Sequence, residues 1–197
     1  MAPMHDTGAF TMKNFMILGL CGLLSSPSWG HTAPWDPSPQ LKALIIGLKL
    51  TYASSTLTEI DRINMQRVDN LSFFISHIDQ PGTPEHAQLK AFLWGMQKAH
   101  AGSVYQQIRT NVVPWFCPKG GQLRLPSPNS PNPTVFIENL IYETLERDLQ
   151  RDPKRFERYN GSAAFMPVTG IVMYGLQIKY PCYRPIPERH RLPGWVY

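Results

Sequence analysis

With 197 residues and 43% hydrophobic side chains, the chain can bury one good core, and a usual domain size of roughly 100–200 residues leaves no room for a second. The formal net charge of +5 is spread along the sequence, and its densest group, Arg184 to Arg191, is broken by prolines. That distribution suits solubility, an acidic partner or an anionic envelope polymer, and it lacks a continuous basic run.

Met12 to Gly30 has the build of an export signal. Lys13 supplies the positive charge, Phe15 to Leu24 is an apolar run too short to span a bilayer, and Ser28-Trp29-Gly30 places small residues about a cleavage site. We expect residues 1–30 to be removed, leaving no membrane span. We also expect Met12 to be the true initiator, because Asp6 sits badly in a basic leading region. Cleavage takes Cys21 away, and export disfavours nucleic acid as a partner. Cys117 and Cys182 remain as an even pair in an oxidising periplasm, where disulfides persist. Their separation of 65 residues predicts about 4 kcal/mol of stabilisation in the chain-entropy model.

Residues 31–39 carry three prolines and read as a linker. Ser38 as cap and Pro39 at the first helical position begin a short amphipathic helix with Leu41, Leu44, Ile45 and Leu48 on one face. A longer stripe, including Leu57, Ile60, Ile63, Val68, Leu71, Phe74, Ile75 and Ile78, predicts one helix over about 55–78. Asp79-Gln80-Pro81-Gly82 ends it. Thr83-Pro84-Glu85 then starts a long helix by cap, proline and dipole together. Within it, Gly95, Ala99 and Gly102 form a ridge of small residues that predicts a close crossing, against the last helix near Gly175.

Prolines 114 and 118 end that helix around Cys117. Lys119 to Pro133 follows, with Gly120-Gly121 and prolines at 126, 128, 131 and 133. A stretch of more than about 12 residues without secondary structure reads equally as a passive surface loop or as a protruding recognition loop. Gln122, Leu123, Arg124 and Leu125 are its candidate contact residues, with Arg124 as the anchor. Helices are predicted over Thr134–Gln150, over a short basic stretch from Pro153 to about Tyr159, and over about Ser162–Lys179, with residues 183–197 as a proline-rich tail. The fold class is therefore all-α: residues 40–182 form a small bundle of about four to five helices stapled by one disulfide.

Nothing in this pattern reads as an active site. A nucleophile built from Cys117 with His100 or His190 needs a reactive thiolate, yet Cys117 follows a helix and has a cysteine to pair with. His100 reads as a structural histidine. Glu143 and Glu146 sit among Arg147 and Asp148 as an ordinary solvated face, and no metal-ligand spacing or phosphate-binding glycine loop occurs. We expect no enzyme, no cofactor and no metal.

The order of "AFLWGMQKA", "FCP", an amphipathic helix ending in "RDP" and a last helix closing on "YPC" resembles the Rap/Tai family of type VI secretion immunity proteins, over roughly Leu71 to Cys182. The resemblance implies a small, exported, all-helical protein that binds a secreted peptidoglycan amidase, a papain-like Cys–His enzyme, and blocks its cleft in the periplasm. Some members act as dimers, which implies a homodimer here. Members commonly carry a further cysteine pair, but the matching neighbourhoods, Ser76 and Leu89, hold none. The stretch 119–133 is also longer than the family's usual connection.

Overall fold

The computed structural model describes residues 36–110, 114–154, 156 and 162–182. The expected signal segment 1–30 and initiator Met12, most of the linker 31–39 and of the short basic helix after Pro153, and the tail 183–197 lie outside the described residues.

The fold is all-α, and the described residues form six α-helices rather than the expected four to five. These are α1 (Pro39–Tyr52), α2 (Glu59–Met65), α3 (Leu71–His77), α4 (Pro84–Thr110), α5 (Val135–Arg151) and α6 (Val168–Lys179). Single 3-10 turns occur at Lys119–Gly121 and Ser162–Phe165. The starts follow the local chemistry. Ser38 accepts from the Leu41 amide at 3.2 Å with Pro39 next in line, and Thr83 accepts from the His86 amide at 3.2 Å ahead of Pro84. No helix among the described residues is long and apolar enough to cross a membrane.

The core is assembled around α3, whose residues Leu71 through Ser76 are all buried. A helix apolar on every side must be covered on every side, and α3 packs against α1, α4 and the 3-10 turn before α6. Its N-terminus is tied to that turn by backbone. The Leu71 amide donates to Met166 O at 2.9 Å, the Val168 amide to Asp69 O at 2.8 Å, and the Ser72 hydroxyl to Ala164 O at 2.7 Å. Asn70 and Pro167 form the isolated bridge between the two segments.

That bridge explains two corrections. The single helix expected over 55–78 is two helices, because Asn70 is held extended (φ −92°, ψ 143°) to pair with Pro167. Thr58 caps α2 separately through the Asp61 amide. As a result Ile60 and Ile63, expected to face inward, are 68% and 56% exposed. The helix expected from Ser162 likewise begins only at Val168. Pro167 is extended (φ −71°, ψ 126°), and its ring and missing N–H separate the 3-10 turn from α6.

The expected small-residue crossing is in the wrong place. Gly95, Ala99 and Gly102 all lie on the exposed side of α4, and a Cβ added at Gly95 or Gly102 would meet nothing within 4 Å. A close approach occurs instead at Gly175, where α6 meets α5. A Cβ on Gly175 would lie 2.3 Å from Thr144 Oγ1 and 3.1 Å from the Leu140 side chain. Thr144 cannot swing aside freely, since its hydroxyl donates to Leu140 O at 2.6 Å.

Candidate functional site

Cys117 and Cys182 are bonded, with their Cα atoms 4.9 Å apart, and the Cys117 amide donates to Tyr180 O at 2.8 Å. The bond joins the segment leaving α4 to the end of α6. Beside it opens a groove of about 720 Å³, with one wall from Pro118 to Arg124 and the other from Lys179 to Cys182.

The first wall owes its shape to two glycines. Gly120 (φ 72°) and Gly121 (φ 68°) both take the left-handed conformation that L side chains rarely adopt, and this turns the chain back from Pro118. A Cβ at Gly121 would also come within 2.7 Å of Ile108 Cδ1 on α4. After the turn the backbone is extended, starting from Gln122 (φ −142°, ψ 138°), and successive side chains point to opposite sides. Leu123 is buried and Leu125 packs against the core, while Gln122 and Arg124 are exposed and Arg124 lines the groove.

The four candidate contact residues thus divide into two anchors and two free side chains. The loop is not a projection. Its far end is pinned as well: Lys90 Nζ on α4 donates to Glu138 Oε1 at 2.5 Å and to Asn132 Oδ1 at 2.8 Å, and Asn132 Nδ2 donates to Glu138 Oε2 at 2.9 Å. The Thr134 hydroxyl also donates to Glu138, and Gln97 Nε2 donates to Pro133 O at 3.0 Å. Glu138 is 8% exposed, so this pair is stable only because its carboxylate is so fully hydrogen-bonded.

The second wall was not visible as part of a site in the sequence. Lys179 on α6 pairs with Glu143 on α5, its Nζ lying 2.8 and 2.6 Å from the two carboxylate oxygens. Burial and the Glu143 charge push the Tyr180 hydroxyl above the usual tyrosine range. One signal could have found this wall: pairing Cys117 with Cys182 puts residues 118–124 beside residues 179–182.

His100 lies apart from this chemistry, packed edge-on to Trp115 (5.6 Å between ring centres) and Phe116 (6.4 Å). Burial lowers its pKa below the usual histidine value. Cys117, bonded to Cys182, offers it no thiolate. Among the described residues no group of three or more His, Cys, Asp or Glu side chains could hold a metal ion. Comparison with protein-family models, with curated proteins and with solved structures finds no match for this chain.

Proposed function

We propose that this chain is a periplasmic immunity protein that binds a secreted peptidoglycan amidase and blocks its cleft. The observation that carries the reading is the exposed Arg124 edge beside the Cys117–Cys182 bond, on an all-α domain with the helix and cysteine order of the immunity proteins it resembles. The mode is a rigid edge rather than a swinging plug. Leu123 and Leu125 hold the backbone to the core, so little freedom is left to lose on binding. A helical binding module without a cognate toxin is the second reading. It is favoured by the missing second cysteine pair, since Ser76 and Leu89 are both buried and the core packs there without a bond.

The test is co-expression with the peptidoglycan amidase encoded beside this protein, exported to the periplasm. Wild type should rescue the cells. Arg124→Ala should weaken binding by about 2 kcal/mol or more, as truncating an interface hot spot does, with no change in melting midpoint. Full rescue by Arg124→Ala would move the interface to a helical face. No binding to an adjacent amidase, or no such amidase, would hand the protein to the second reading.

A further inference from the structure

Among the described residues the groove beside the disulfide is lined by three cations, Lys119, Arg124 and Lys179, and by no Asp or Glu. Lys179 is satisfied by Glu143, which reaches it from α5. Lys119 and Arg124 are both exposed and form no ion pair among the described residues. Lys42, Lys49, Arg62 and Arg67 each have a carboxylate within 3.4 Å, whereas Lys98, Arg109, Arg147 and Lys154 are exposed without an ion pair among the described residues, so what sets Lys119 and Arg124 apart is that they line one groove. Two unneutralised charges therefore converge on the groove, while the rest of its lining includes Pro118, Tyr180, Pro181 and the disulfide.

From this we infer that the groove is a docking surface for an acidic, extended peptide segment of a partner protein. Its volume lies within the roughly 300–1,000 Å³ typical of ligand sites. Cations converging from one wall over a partly apolar floor suit a chain that lays its stem along Pro118 and Pro181 and turns its carboxylates to Lys119 and Arg124. The guanidinium of Arg124 can take a carboxylate with two parallel hydrogen bonds, and Lys119 adds a second charge from the same wall. A nucleic acid is the poorer fit. Such binding rests on many phosphate contacts, whereas the described residues of this groove present two cations without an ion pair.

The assignment stands on the groove itself and does not require the partner to be the amidase. Its test is separate from co-expression: titration of fluorescently labelled hexaglutamate into the full chain, with hexaglutamine, inorganic phosphate and a short single-stranded oligonucleotide as comparison probes. Hexaglutamate should bind, more weakly as salt is raised, and hexaglutamine should not. Lys119→Glu and Arg124→Glu should each weaken hexaglutamate binding by at least about fivefold, because each loses one attraction and adds a repulsion. Lys98→Glu, which makes the same change in net charge on α4, should leave it unchanged. Equal loss in Lys98→Glu would trace the attraction to the net charge of the whole molecule and overturn the proposal. Tighter binding of phosphate or of the oligonucleotide than of hexaglutamate would also overturn it, as would no binding at all.

Discussion

At the scale of single residues, burial decides what the sequence leaves ambiguous. His100 packs edge-on to Trp115, and its burial favours the neutral ring. The unfolded chain therefore takes up a proton that the folded chain resists. With the folded pKa depressed, this contribution to stability is full above the unfolded value of about 6.5 and is lost as pH falls through it toward the folded value. Urea midpoints measured from about pH 8 to about pH 5 should fall more steeply for wild type than for His100→Phe, which keeps the ring stack and cannot titrate. Parallel slopes would mean that His100 is hydrated in the folded state. Arg124 makes the complementary point. Its exposure follows from the alternation that buries Leu123 and packs Leu125 against the core on either side of it.

At the scale of elements, glycines at similar helical spacing serve opposite ends. Gly175 is required by the α5–α6 approach, so Gly175→Ala should destabilise by about 1–3 kcal/mol through overpacking. Shortening the opposing side chain in Gly175→Ala with Thr144→Ala should recover part of that loss. Gly95 and Gly102 face open space on a helix, where alanine is favoured over glycine by about 1 kcal/mol. Gly95→Ala and Gly102→Ala should therefore each raise the melting midpoint, and a fall in either would show that another surface closes over α4. Helix starts could be read locally, because a cap and a proline act within one turn. Helix breaks at Asn70 and Pro167 could not be read as a pair, because they depend on a bridge between segments almost a hundred residues apart.

At the scale of the whole molecule, the disulfide links the two walls of the groove. Cys182→Ser should cost on the order of 2–5 kcal/mol, read as a lower denaturant midpoint, and alkylation of the folded chain without reduction should label neither Cys117 nor Cys182. The sequence by itself determined the all-α class, the starts of α1 and α4, the span of α5, the Cys117–Cys182 pairing and Arg124 as an exposed side chain, since each follows from local chemistry or from counting cysteines. Only the tertiary structure decided that α3 is enclosed on every side, that the ridge on α4 faces outward, that the 119–133 stretch lies on the core at Leu123 and Leu125, and that Lys119 and Arg124 share a groove with Lys179. The physical reason is that an apolar stripe states which side chains avoid water and does not name the surface that shelters them. That choice is made when distant segments meet, here through the Asn70–Pro167 bridge, the Lys90–Glu138 pair and the disulfide.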